Sequence, residues 1–181
     1  NEHYELGQQW LVYCDSIDQL DSLNHALLRE GIMTTIYHSN LSPKQKGDAL
    51  RGFEVHGGIM LSIRCLDEGV DIPSASHALI ISSDQNPRQF IQRRGRVLRK
   101  DKKSDKRKAV IYDLVISAGH NATDNLMNLT LNELYRAYEF AKDSNNKLQS
   151  MGQIEKIAID SNVSIEKIRP SPDDFEEDEE L

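Results

Sequence analysis

The sequence predicts an α/β fold: a parallel sheet flanked by helices, followed by a helical extension. Three observations lead there. Five short runs are near-continuously apolar or β-branched, as expected of strands covered on both faces. Segments with helical periodicity lie between them, several opened by a capping residue or a proline. Strands alternating with helices imply parallel strand–helix–strand units.

Taken in order, Trp10–Cys14 is the first strand and leads into a helix over Ser16–Glu30. That helix carries Ile17, Leu20, Leu23, Leu27 and Leu28, starts at a capping Asp15 or Ser16, and stops at Gly31. Met33–Tyr37 is the second strand. Ser42–Phe53 opens with Ser-Pro, a cap followed by proline at the first helical position. Ile59–Ile63, His77–Ser82 and Ala109–Ile116 are the remaining strands, and Pro87–Leu98 is a helix opened by Asn-Pro. After Ile116 the pattern changes. Thr130–Leu148 sets Leu131, Leu134, Tyr138 and Ala141 on one helical stripe, and Gln153–Asp160 is a second helical stretch. Pro170 and Pro172 mark a polar linker. The expected organisation is an α/β domain over 1–116, a helical extension over 117–168, and an acidic, disordered tail over 169–181.

The chain has 181 residues, 38% of them hydrophobic, enough for one domain with a core and an appendage. No apolar run approaches the ~18–20 residues of a membrane-spanning helix. The opening Asn1–Gln9 is polar and does not read as a signal peptide. The two cysteines, Cys14 and Cys65, sit in apolar surroundings and read as reduced, buried thiols of a cytoplasmic protein.

The net charge of -7 argues against a polyanion partner only while it is treated as uniform. Between Arg88 and Lys108 stand eleven lysines or arginines and two acids, a local balance of +9. From Asp173 to Leu181 stand seven acids and no base. A basic segment inside an otherwise acidic chain can bind phosphate.

Most familiar chemistry is missing. None of the ten glycines begins a GxxxxGK phosphate loop, and no GxGxxG follows a strand. HExxH and CxxC are absent, and His38, His56, His77 and His120 are scattered, so no metal site is expected. Cys65 has no histidine partner nearby in sequence. The chain by itself carries no identifiable complete active site.

Two segments are more specific. In Ile59–Pro73 a buried strand runs into a polar turn, with Gly69 permitting a close backbone approach and Pro73 biasing Ile72 towards extended geometry. Ser62, Arg64, Glu68 and Asp71 therefore gather near the carboxyl end of the strand, where α/β domains bind ligands. In Gln92–Arg99, Gln92, Arg96 and Arg99 share one helical arc, and Phe90, Ile91, Val97 and Leu98 lie opposite. Arg94 falls in the apolar arc; either it snorkels or the helix breaks near Gly95. A row of guanidiniums on a packed element suits polyphosphate binding or stabilisation of charge in phosphoryl transfer.

These residues resemble a known family. Gln92–Arg99 matches the QxxGRxxR pattern of motif six in superfamily 2 helicases and translocases, and Ser62–Pro73 resembles their motif five. The Glu68-Gly-Val-Asp-Ile-Pro73 form looks most like the branch holding the excision-repair helicase subunit and the type I and type III restriction motor subunits. Trp10–Asp15 resembles motif four, and Tyr37–Pro43 the strand end and helix start that follow it. The likeness covers about Gln9 to Ile116. It implies a RecA-like second motor lobe whose ATP site is completed by an N-terminal ATPase lobe of the same protein. By resemblance, Arg96 and Arg99 are the γ-phosphate and arginine-finger residues, and Gln92, Gly69 and Asp71 bind ATP, with Mg2+ held mainly by the other lobe. Ser62, Arg64, His38 and Ser39 would contact nucleic acid, with DNA implied by the branch. A nuclease or a restriction or repair subunit is a further implied partner. The competing expectation is a non-catalytic RecA-like module that binds nucleic acid or protein without using ATP.

Overall fold

In the computed structural model, residues 5, 7–63, 75–81, 108–119 and 123–168 are described. Five strands form one parallel sheet: β1 (Gln9–Cys14), β2 (Thr34–Tyr37), β3 (Gly58–Ile63), β4 (His77–Ile80) and β5 (Val110–Asp113), in the order β2-β3-β1-β4-β5. Helix α1 (Ile17–Arg29) joins β1 to β2, and α2 (Pro43–His56) joins β2 to β3. The predicted parallel sheet with flanking helices is the fold observed. Parallel strands cannot be joined by tight hairpins, so a helix in each connection is the expected solution.

The alternation of strand side chains sorts them onto two faces. Trp10, Val12 and Cys14 of β1 and Ile59 and Leu61 of β3 form a cluster with Leu20 of α1, supported by Leu23 and Leu27. The intervening Leu11, Tyr13, Met60 and Ser62 are equally buried, so the sheet's centre is covered on both sides. Phe53 of α2 is fully buried where that helix packs against β2 and β3.

Helix ends follow from local chemistry. Ser16 is the cap of α1, its hydroxyl accepting the Gln19 N–H at 3.2 Å. Ile17 and Leu28, expected on the buried stripe, are instead 44% and 43% exposed, because Leu20, Leu23 and Leu27 define the face that meets the sheet. At α2, Ser42 and Gln45 form a reciprocal capping box (3.3 and 2.9 Å) ahead of the proline. This helix continues past Phe53 to His56 and stops at Gly57, whose φ of 69° favours glycine.

The chain divides into two compact units, Asn1–Leu114 and Val115–Leu181. In the second, α3 (Asp124–Ala141) and α4 (Lys147–Asp160) pack through Leu134, Ala137, Ala141, Ile154 and Ala158. The single helical stretch expected over Thr130–Leu148 is thus corrected to two helices with a break at residues 142–146. Ser144 accounts for much of the break: its N–H and its hydroxyl both bond back to the Ala141 carbonyl, which ends the regular ladder. Gly152 lies inside α4 instead of before it, since packing outweighs about 1 kcal/mol of unfavourable propensity. A short 3-10 turn, Ile165–Lys167, follows. Among the described residues no helix is long and apolar enough to cross a membrane.

Candidate functional site

In a parallel sheet all carboxyl ends lie on one edge, and here β1 is the middle strand of that edge. Its last residues bind both neighbours. Cys14 is in register with Ile63 at the end of β3, and Tyr13 with Ile80 at the end of β4. The Tyr13 carbonyl also accepts the N–H of Ile81 at 3.2 Å. Ile63 and Ile81 are the residues from which segments 64–74 and 82–107 depart. Both segments therefore leave the sheet on either side of β1, about 10 Å apart for strands spaced ~4.8 Å.

Six of the nine residues singled out in the sequence lie in those two segments, and so outside the described residues: Arg64, Gly69, Asp71, Gln92, Arg96 and Arg99. The expected helix Pro87–Leu98, the second thiol Cys65 and the tail 169–181 lie outside them as well. What the fold establishes is where these segments start.

The other three are described. Ser62 is 0% exposed, in register between Tyr13 of β1 and Tyr37 of β2. A side chain so placed is closed off from solvent. His38 follows directly on β2, partly exposed, and its carbonyl accepts the Leu41 N–H at 3.2 Å in a turn. Ser39 and Asn40 at the turn's tip are exposed, with a weak hydroxyl-to-amide contact of 3.4 Å between them. The sheet thus brings His38 and Ser39 to the same edge as the starts of the two segments, one strand outward from β3. The first turn of α2 behind them carries no acid and presents Lys44 and Lys46.

Sequence reasoning passed over Tyr13 and Tyr37, the buried neighbours of Ser62. Each sits in a run read as plain apolar strand, and only the register shows that they flank one serine. Cys14 is buried as expected, and desolvation pushes its thiol up to about 11. Among the described residues no group of three or more His, Cys, Asp or Glu could hold a metal ion.

A family model described as the helicase conserved C-terminal domain matches residues 2–101. Among curated proteins, the chain is 26% identical over 89 residues to DEAD-box ATP-dependent RNA helicase 22 of Oryza sativa subsp. japonica, covering 49% of this chain and 15% of that protein. It is 22% identical over 174 residues to DEAD-box ATP-dependent RNA helicase 39 of Arabidopsis thaliana, covering 92% of this chain and 28% of that protein. The chain thus spans less than a third of either relative. Among solved structures, the C-terminal domain of the DEAD-box protein Dbp5 superposes with a TM-score of 0.56 at 16% identity, covering 84% of this chain and 83% of that one. That likeness concerns the fold. The relatives matched carry DEAD-box RNA-helicase names, where an excision-repair or restriction-motor likeness was expected.

Proposed function

The chain belongs to the helicase conserved C-terminal domain family, and from that premise we propose that it is the second motor lobe of an ATP-dependent helicase or translocase. In this role residues 1–116 form the RecA-like lobe, 117–168 a helical extension and 169–181 an acidic tail. The ATP site is completed by an N-terminal lobe that supplies the phosphate loop and most of the Mg2+ contacts. The observation that supports this most is the departure of segments 64–74 and 82–107 from the two strands flanking β1, on one sheet edge.

The donor chemistry fits a nucleotide triphosphate. Arg96 and Arg99 bring guanidiniums suited to phosphate oxygens, Gln92 a neutral amide, and Gly69 and Asp71 a tight turn with a carboxylate. ATP supplies the phosphoryl group whose transfer drives the motor. Arg96 and Arg99 stabilise the charge that develops, a contribution that can change turnover about 10³–10⁵-fold. Because they come from a different lobe than the phosphate loop, turnover depends on closing the cleft between lobes, and closure shifts Arg64, His38 and Ser39 along the strand. Ser62 supports that contact from below.

We take DNA as the strand, from the form of Glu68–Pro73, with a nuclease or repair subunit as partner and a cytoplasmic location. A second reading, RNA as the strand, is favoured by the names of the matched relatives. The deciding experiment uses the two-lobed protein. Arg99→Ala should abolish strand-stimulated ATP hydrolysis with the melting temperature unchanged, and comparing DNA with RNA stimulation of the wild type chooses the strand. Wild-type turnover in Arg99→Ala would overturn the arginine-finger role.

A further inference from the structure

We propose that the outer stripe of α4, formed by Leu148, Gly152 and Ile159, is the docking surface for this chain's own acidic tail, with Phe175 on Ile159, Leu181 on Leu148 and the acids between them along Lys156 and Lys147. This docking lies within the second unit and is independent of the motor role.

The stripe follows from helical spacing. Leu148 and Ile159 are eleven residues apart on α4, which is three turns and about 20° of rotation, so they share one line along the helix. They are 90% and 67% exposed, while Ile154 and Ala158 on the other side pack in the core with α3. Gly152 lies between them, and a Cβ added there would meet no neighbour. The unit's own packing therefore uses neither end of the stripe nor the glycine at its middle. Lys156 flanks the stripe on one side and Glu155 on the other, with Asp160 further round the helix. The first turn of α4 holds no acid, its cap Asn146 makes no side-chain bond, and Lys147 is exposed there. That end carries the positive pole of the helix.

The occupant follows from the tether, the spacing and the charge. Two exposed apolar side chains fall well short of the ~1,200 Å² that a stable complex between separate molecules buries. A segment of the same chain needs less, because tethering gives it an effective concentration in the ~mM range. Ile168 is buried in the cluster with Ile154 and Ala158, so the tail starts beside the second half of α4. Phe175 is seven residues further on, within ~23–25 Å of extended chain. Beyond Pro172 the apolar side chains of the tail are Phe175 and Leu181. Six extended residues span about 20 Å, against about 16 Å for the eleven helical residues from Leu148 to Ile159, so a slightly bent tail matches the stripe. Laid antiparallel to α4, both apolar pairs meet at once. The five acids Glu176–Glu180 then run past Lys156 to Lys147 and the open end of the helix. A segment this acidic builds no core of its own, so it gains order only on another surface.

Methyl NMR on the full 181-residue chain tests this. The Phe175 ring should shift the Ile159 methyls, so Phe175→Ala should move them more than the methyls of the buried Ile154 or Leu134. Leu181→Ala should move those of Leu148 in the same way. Lys147→Ala combined with Lys156→Ala should lower the docking constant, read from the Ile159 shift, about two- to fivefold, the worth of two exposed ion pairs. Ile159 and Leu148 methyls that stay put in the tail variants overturn the docking, and an unchanged constant in the double lysine variant overturns its electrostatic seating. Two other occupants overturn it as well. A shift of Leu148 and Ile159 that grows with protein concentration and is lost in Leu148→Glu means that a second copy covers the stripe. A shift present only in the two-lobed protein means that the N-terminal lobe covers it.

Discussion

Glu133 and Arg136 form a two-pronged ion pair inside the second unit, Nη1 to Oε1 and Nη2 to Oε2 both at 2.9 Å, with the side chains 2% and 1% exposed. Oε2 of Glu133 also accepts the N–H of Ile116 at 3.2 Å. One turn earlier on α3, the Thr130 hydroxyl accepts the N–H of Ala118 at 2.7 Å. Two side chains three residues apart thus take alternate N–H groups of the chain leaving β5, as a neighbouring strand would. The strand expected to run to Ile116 ends at Asp113. Removing Glu133 takes two charge-assisted hydrogen bonds from the buried Arg136 guanidinium. Glu133→Ala should therefore lose about 3–5 kcal/mol in urea unfolding of this chain, and Glu133→Leu combined with Arg136→Met distinctly less. Equal losses in the two variants would show that the pair's charge is not what matters.

At the amino end of the sheet, the indole of Trp10 stacks on His77 (centroids 4.6 Å, planes 11° apart) and on Tyr112 (5.4 Å, 13°). Burial pushes the His77 imidazole below its ordinary 6.5, and Glu5 pulls weakly the other way. The folded state therefore refuses a proton that the unfolded chain accepts. His77 contributes stability that is present above pH 6.5 and is lost as pH falls below it. Urea midpoints at pH 7.5, 6.5 and 5.5 should show this decline, and His77→Phe, which keeps a ring against Trp10, should flatten it. A wild-type slope surviving in His77→Phe would assign the effect to other groups.

The strands were legible because each is an apolar run bounded by polar turns, and the caps Ser16 and Ser42 because capping chemistry is local. Less local features were not. Ile17 and Leu28 match a helical stripe in sequence, yet the direction from which the sheet meets α1 leaves them exposed. Thr130, Glu133 and Arg136 look like a solvated polar face, and only packing of the second unit buries them. The burial of Ser62 has the same origin: the alternation along β3 assigns it to a face, but the neighbouring Tyr13 and Tyr37 come from registers that no single strand encodes. The chemistry proposed for the basic and glycine-containing segments rests on their own spacing, and the fold adds the common edge from which they start.

Gln9 and Gly57 together close α2. The Gln9 amide donates to the carbonyls of Phe53 (2.9 Å) and Glu54 (3.3 Å) in the last turn, and the Phe53 carbonyl also accepts the Gly57 N–H at 2.9 Å. A Cβ on Gly57 would sit 3.4 Å from the Gln9 side chain, at φ 69° and ψ -146°, a conformation that costs an L residue on the order of 1–3 kcal/mol. Gly57→Ala should lower stability by about that amount, and Gln9→Ala by about 0.5–1.5 kcal/mol. Residues so close share one cap, so the double variant should lose less than the sum of the two. Strict additivity in denaturation would separate the two roles.

Cys14 closes β1 at the register position of Ile63, on the edge where the two motif segments begin. Its thiol is 3% exposed and pushed up to about 11 by desolvation, from an ordinary 9.0. The fold holds the protonated form, so the sign is opposite to that of His77. Its contribution is fully present below pH 9.0 and is lost as pH rises towards 11, amounting to about 3 kcal/mol at about 1.4 kcal/mol per pKa unit. In a Cys65→Ser background, the remaining thiol should react with an aromatic disulfide reagent only at the rate of unfolding at pH 8, and urea should accelerate it. Stability between pH 9 and 11 should fall more steeply than in the same background carrying Cys14→Ala. Rapid modification of the folded chain at pH 8 would instead mean that the end of β1 opens locally, and that the edge bearing both segments is looser than its register implies.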